Sequence, residues 1–303
     1  MTCTRPHVLV TGASSGIGRA TAIVLANAGW HVFASVRNPV DGESLRAAVA
    51  SGPEITPVQL DVTDGEQIDA AVAQMSAHVG TAGLNGLVDN AGIGVTAPME
   101  VVSPDSLRHQ FEVNVFGQVA VTQAVVPLLR QARGRIVMIG SIGGRMTPPF
   151  GGPLAASKAA IASLADAFRQ ELAPWDIKVV LIEPASILTE AVDKVKRDAE
   201  KVVADFSAEE AEMYRDSYLG MVDLAMSREL KGSPPSVVGE LVAKVLTKSR
   251  PRSRYVVGRD GRLLATLTRF VPTLVFDAMR RKLFRLPASG SRAISPIREG
   301  ALR

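Results

Sequence analysis

The chain has 303 residues with a formal net charge of +4; 47% are hydrophobic and 21% charged. That length suits one large α/β domain or two average ones, and the composition excludes wholesale disorder. One cysteine, Cys3, excludes an intramolecular disulfide and a cysteine-rich zinc site, and four scattered histidines without an HExxH pattern argue against a zinc hydrolase, so no metal is expected.

At the N-terminus, Arg5 is followed at once by Val8-Leu9-Val10, a run too short for a signal-peptide core. We therefore expect a cytoplasmic protein. His7–Thr11 reads as a strand and Ile17–Ala28 as a helix closed by Gly29. Between them lies Thr11-Gly12-Ala13-Ser14-Ser15-Gly16-Ile17-Gly18. A glycine-rich turn between a strand and a helix is the setting in which glycines hold a dinucleotide. Gly12 permits the turn, Gly16 admits a pyrophosphate to the backbone, and Gly18 lets the helix lie against the sheet. Ser14, Ser15 and the amides around Ile17 then face the phosphates, helped by the helix dipole.

Trp30–Val36 reads as the second strand and ends in Arg37 with no acid beside it. An acid at this place bonds a ribose 2′-hydroxyl; an arginine pairs with a 2′-phosphate. Arg37 thus points to NADP. The alternation continues with a helix over Glu43–Ala50, a strand over Ile55–Leu60, a helix over Glu66–His78 and a strand over Gly86–Asp89. Ser103 caps a long helix over Pro104–Leu129, with a break expected near Pro127. Its charge-free part, Val113–Leu129, falls short of the roughly 20 apolar residues of a membrane span. A strand over Arg135–Gly140, a helix over Ala155–Leu172 and a strand over Lys178–Ile182 follow. Ile187–Lys231 is long, charged and helix-prone, and a helix over Val237–Thr247 comes after it. Insertions after a strand's C-terminal end are where α/β folds place lids.

The alternation predicts a doubly wound, Rossmann-type α/β fold with a parallel sheet. Residues 1–258 form one dinucleotide-binding domain, its lid at about 187–235, and 259–303 form a basic, apolar extension. From Arg250 onward there are 13 Lys/Arg against 3 Asp/Glu, while the first 249 residues hold 21 against 27. The high pI therefore belongs to the tail, and no nucleic-acid partner is expected. Arg262–Leu286 combines apolar and cationic positions. A helix pair closing over the substrate pocket or another subunit is favoured over contact with a membrane interface.

The Gly-x-x-x-Gly-x-Gly spacing resembles the short-chain dehydrogenase/reductase family, and the resemblance continues in order to about residue 258. Asp61-Val62 matches the pair that touches adenine. Asn90-Ala91-Gly92 matches the adenosine-side motif, with Asp89 in place of a first asparagine and assigned to stabilising the sheet. Asn114 and Ser141 match the asparagine and serine of the catalytic set, and Ser157-Lys158 matches the end of Tyr-x-x-x-Lys. Pro184, Ile187 and Thr189 belong to the nicotinamide-side PGxxxT, with Ala185 for glycine. The resemblance implies that Ser141 holds the substrate oxygen, that Lys158 contacts the ribose and lowers the pKa of a phenol, and that Asn114 holds a water leading to solvent. Within the family the chain resembles the 17β-hydroxysteroid/retinol dehydrogenase-like members.

That phenol is missing. Four residues before Lys158 stands Leu154, thirteen residues after Ser141, the family's usual interval. Carbonyl reduction needs a proton delivered to oxygen, and leucine has none to give. Three readings stay open here: an impaired NADP(H)-dependent oxidoreductase of a hydrophobic alcohol and its ketone or aldehyde; a dinucleotide-binding pseudoenzyme; or an enzyme whose proton comes from Lys158, water, Tyr214 or Tyr218. The two tyrosines lie four apart on one helix face, although packing within the lid is the plainer reading of them. Apolar and small residues beyond one face's need, at Val119-Ala120-Val121 and Ala159-Ala160-Ile161-Ala162, predict a homodimer or homotetramer.

Overall fold

A computed structural model describes residues 5–49, 54–188, 192–284, 286, 287 and 290. Seven parallel strands form one sheet in the order β3-β2-β1-β4-β5-β6-β7. They are β1 His7–Val10, β2 His31–Val36, β3 Glu54–Gln59, β4 Gly86–Asp89, β5 Arg135–Ile139, β6 Lys178–Pro184 and β7 Arg254–Val257. The order reverses between β1 and β4, and in such sheets ligands bind outside the carboxyl ends of the strands at that switch point.

Both faces of the sheet are covered, so the central strands are apolar throughout rather than alternating. Leu9, Phe33, Leu87, Ile136 and Met138 face α3 (Gly65–Val79), α5 (Gln118–Ala132) and α6 (Gly152–Glu171). Val8, Val10, Val32, Val88 and Val137 face α1 (Gly16–Asn27), α2 (Pro39–Ala47) and α9 (Ser236–Thr247). Full burial of each large aliphatic side chain contributes about 1.5–3 kcal/mol.

Several boundaries differ from the expected ones. α2 begins four residues early, because Asn38 accepts from the Val40 N–H and Pro39 occupies the first turn. The strand β7 was not anticipated: four residues between Arg252 and Gly258 are too few for a pattern. The long helix does not break at Pro127. Pro127 and Gln123, whose carbonyl loses its partner, are both exposed, so the missing bond costs little there. The irregularity lies earlier, where a π-helical turn over Glu112–Gly117 joins α4 (Pro104–Phe111) to α5. The whole run, 104–132, has the length and composition of a span, but 56% of its apolar window is buried in the protein.

The expected lid is two helices, α7 (Val192–Ala204) and α8 (Ala208–Glu229), the second opened by a capping box between Ser207 and Glu210. Ala199, Tyr218, Met221 and Val222 form a small core of their own, which Phe284 joins from beyond α11 (Thr273–Leu283). Arg280 also donates to the Thr147 carbonyl at 2.6 Å. Residues of the tail thus pack on the lid. Outward-facing Phe270, at the end of α10 (Gly261–Phe270), and Leu274 on α11 remain 72% and 83% exposed.

Candidate active site

The cradle is built by close backbone approach. Gly12 has φ 63°, and a Cβ there would lie 2.9 Å from the Ala91 Cα. A Cβ on Gly18 would lie 2.1 Å from the Gly12 carbonyl oxygen and 2.5 Å from Asn90 Nδ2. Gly16 also has positive φ, at 54°. Gly12 and Gly16 need glycine for their positive φ, and Gly12 and Gly18 for close approach of the backbone. Ser15 is the N-cap of α1, yet its hydroxyl makes no capping bond, and Ser14 and Ser15 are exposed while Ile17 is half-buried. The first amides of α1 therefore open toward the cleft, a site suited to a pyrophosphate.

Asn90 holds the turn rather than facing outward: its Nδ2 donates to the carbonyls of Thr11 at 2.9 Å and Gly12 at 3.2 Å. Thr11 and Ser35, which the sequence reading left out, complete the frame. Thr11 Oγ1 accepts from the N–H groups of Asn90 and Ala91, and Ser35 Oγ accepts from the Gly12 N–H. A buried hydroxyl at a strand end was the one available signal for both.

At the adenosine end, Arg37 is exposed just past β2 and Asp61 stands past β3. Burial acts to raise the Asp61 pKa, but hydrogen bonds from the Thr63 amide and hydroxyl, with help from Arg37, leave it below the ordinary carboxylate range. Val62 is buried against Gly117 in the π-helical turn. On the nicotinamide side, Pro184 ends β6 in register with Val257, and Ile187 is buried in the sheet's apolar core beside Gly258. Thr189 lies outside the described residues.

Asn114, Ser141 and Lys158 come from the π-helical turn, the end of β5 and α6. Asn114 is fully buried. Its Oδ1 accepts from the Ile93 N–H at 2.7 Å, and its Nδ2 donates to the Ile93 carbonyl at 3.0 Å and to Ser157 Oγ at 3.1 Å. The amide thus ties the loop after β4 to α6. Gln110, one turn earlier on the same helix face, does the same work through the Ile93 carbonyl and the Val95 N–H. The i, i+4 spacing from Asn114 was its legible sign. Ser141 Oγ accepts from the Gly143 N–H at 3.0 Å, which leaves its hydroxyl hydrogen to donate elsewhere.

Lys158 Nζ donates to the Ile139 carbonyl at 2.9 Å. Burial pushes its pKa down to about 8, opposed by the charge of Asp89. Asp89 is itself wholly buried, and burial pushes it up to about 7 against hydrogen bonds from Thr122 and Thr11 and the charge of Lys158. Leu154 sits one turn before Lys158 on the same face of α6, half-buried, with its Cδ2 3.7 Å from where a Cβ on Gly94 would stand. The position four residues before Lys158 thus carries an apolar branched side chain beside Gly94.

The two lid tyrosines are engaged elsewhere. Tyr218 is fully buried and donates to the Thr96 carbonyl at 2.9 Å, with Thr96 Oγ1 at 3.0 Å, and burial pushes its pKa up. Tyr214 donates to Glu100. Both fasten α8 to the segment after β4.

The sequence profile described as short chain dehydrogenase matches residues 6–200. The 11-beta-hydroxysteroid dehydrogenase type 2 of Oryctolagus cuniculus is 33% identical over 300 residues, covering 97% of this chain and 74% of that one. Retinol dehydrogenase 16 of Mus musculus is 33% identical over 283 residues, covering 90% and 87%. Among solved structures, a short-chain dehydrogenase from Streptomyces avermitilis superposes with a TM-score of 0.71 at 27% identity, covering 93% of this chain and 96% of that one.

Proposed function

The chain belongs to the short-chain dehydrogenase/reductase family of oxidoreductases, and on that footing we propose that it binds NADP(H) and interconverts a hydrophobic alcohol and its ketone or aldehyde at a rate held down by Leu154. The observation that carries the reading is an intact cradle and an intact Asn114–Ser141–Lys158 set around a leucine. The shape of the cradle fits a dinucleotide: Gly12 and Gly18 leave no room for a Cβ, and the first amides of α1 stay open. Arg37 supports a 2′-phosphate over a 2′-hydroxyl. The steroid and retinol named as the relatives' substrates support a hydrophobic substrate.

The dinucleotide supplies or takes the hydride. The chain's own residues do the rest. Gly16 admits the phosphates to the backbone, Gly12 and Gly18 keep the turn and helix close together, Ser14 and Ser15 offer hydroxyls to the phosphates, and Lys158 meets the ribose. Ser141 orients the substrate oxygen by donating its free hydroxyl hydrogen. With both tyrosines bonded to other partners, the proton sources among the described residues of the proposed site include the Ser141 hydroxyl and the Lys158 ammonium, with solvent water beside them. Loss of a dedicated general acid costs about 10²–10⁴ in rate.

The test is NADPH oxidation against a panel of hydrophobic ketones and aldehydes, run on the chain and on Leu154→Tyr together. The variant should gain about 10²-fold or more. Any slow reduction by the unaltered chain should fade as pH rises through about 8, where Lys158 loses its proton. Tight cofactor binding with no gain in Leu154→Tyr would favour the second reading, a dinucleotide-binding pseudoenzyme, which the apolar residue at this position independently supports. The proposal places the protein in the cytoplasm. Since Phe270 and Leu274 are largely exposed, liposome flotation is the check, and recovery with the vesicles would overturn that placement.

A further inference from the structure

Three of the four histidines, far apart in the chain, meet at the N-terminal edge of the sheet, the end away from the cradle. The register brings them there. His7 on β1 pairs with His31 on β2, and His31 pairs with Glu54 on β3, so the three form one row across adjacent strands. These neighbours point to the same face of the sheet. The last turn of α3 covers that face and presents His78 over the row.

We propose that His7, His31, His78 and Glu54 form a transition-metal site best suited to Zn²⁺. One ring nitrogen from each histidine can be chosen so that all three lie within 4.8 Å of one another. His31 Nδ1 stands 3.2 Å from Glu54 Oε2. Ligand atoms on a tetrahedral Zn²⁺ at the usual bond lengths of about 2.0–2.1 Å are about 3.4 Å apart. The His31–Glu54 pair already has that separation. Glu54 meets the histidines through His31, so closing the set asks both Glu54 and His78 to draw in; both are exposed, and His78 lies near the end of its helix.

The surroundings have the features of a ligand set. His31 is 2% exposed, and its Nε2 meets Thr56 Oγ1 at 3.0 Å, a partner that fixes the ring and leaves Nδ1 turned toward Glu54. Phe33 packs beneath the rings, its centroid 4.7 Å from that of His31 and 5.4 Å from that of His78. Among the described residues, the cation paired with the cluster is Arg5, whose Nη1 shares Glu54 Oε2 at 3.1 Å. It is half-exposed and can swing away. Three imidazoles and a carboxylate suit Zn²⁺ over Mg²⁺ or Ca²⁺, which prefer all-oxygen sets. Four protein ligands leave no open position, so the ion would brace β1, β2, β3 and α3 rather than activate water.

The experiment uses the full chain without a histidine tag, stripped with a chelator and titrated with Zn²⁺ by calorimetry, with Co²⁺ absorption as a reporter of tetrahedral nitrogen and oxygen ligation. We expect one ion per chain, tetrahedral Co²⁺ bands, and a Tm that rises with Zn²⁺ in excess. His78→Ala changes an exposed residue and keeps the fold; it should weaken Zn²⁺ binding at least about tenfold and abolish the rise in Tm. Glu54→Gln should weaken it too, while His109→Ala, at the fourth histidine, should not. NADPH binding should be the same in all of them, which separates this site from the proposed function. Failure to bind Zn²⁺, or His78→Ala binding as tightly as the parent, would overturn the assignment.

Discussion

Asp89→Asn tests the electrostatics beneath the cradle. Asp89 has no solvent exposure, and its nearest polar partners are the hydroxyls of Thr11 and Thr122. Its pKa stands at about 7 against an ordinary 3.8. The folded chain keeps a proton on this group that the unfolded chain releases, so stability falls as pH rises from about 4 to 7. At about 1.4 kcal/mol per pH unit, the part of that fall between pH 5 and pH 7 is about 3 kcal/mol. Lys158 works in the opposite sense higher up: its pKa of about 8 against 10.5 means that stability returns above pH 8 as its proton leaves. The unaltered chain should therefore have a trough of stability near pH 7–8. Asparagine keeps the shape and can hydrogen-bond both threonines, but it does not ionise. Urea unfolding at pH 5 and pH 8, read as midpoint and slope for both chains, should show the parent losing about 3 kcal/mol that Asp89→Asn retains. A difference between the two chains that stays within about 1 kcal/mol at both pH values would refute the reasoning, because Asp89 would then not change its charge in the fold over this range.

Three further outcomes follow from the site and its surroundings. Arg37→Asp should weaken NADP(H) binding and spare NAD(H), as read by calorimetry with both cofactors; equal affinities in the unaltered chain would count against the role given to Arg37. Gly18→Ala should abolish measurable cofactor binding and cost about 1–3 kcal/mol in urea unfolding, because its Cβ would fall 2.1 Å from the Gly12 carbonyl oxygen; unchanged binding would mean that the cradle has slack it does not display. Light scattering at micromolar concentration should give a dimer or larger, since α5 and α6 leave the small and apolar Val119, Ala120, Ala124 and Ala160 only half-buried; a monomer mass would contradict it.

What was legible in the sequence is what local chemistry dictates. A strand, a glycine turn and a helix in order define the cradle because only glycine tolerates the approach of Gly12 to Ala91 and of Gly18 to Asn90. Lys158 and the vacancy at 154 are read by counting along a single helix. Pairings set by the sheet register or by lid packing were not legible. His7, His31 and Glu54 align only once β1, β2 and β3 are side by side, and Tyr218 meets Thr96 across 122 residues. The helix irregularity was assigned to Pro127 because proline is a visible breaker, whereas the π-helical turn at Glu112–Gly117 has no proline and is pinned by Asn114 and by Val62 pressing on Gly117.

The roof of the cleft has a core separate from the two that flank the sheet, shared between α7, α8 and Phe284 of the tail. A unit with its own small core can open at a fraction of the global unfolding free energy. Opening of that unit then needs no motion in the glycine turn or in α1. Tyr218 ties this unit to Thr96 and Phe284 packs into its core, so truncation before residue 284 should raise hydrogen exchange across α7 and α8 and leave that of the sheet as it is. A chain whose carboxyl-terminal segment helps to close its own cleft couples access to whatever holds that segment, and the rate of entry can be tuned without altering a single residue that touches the dinucleotide.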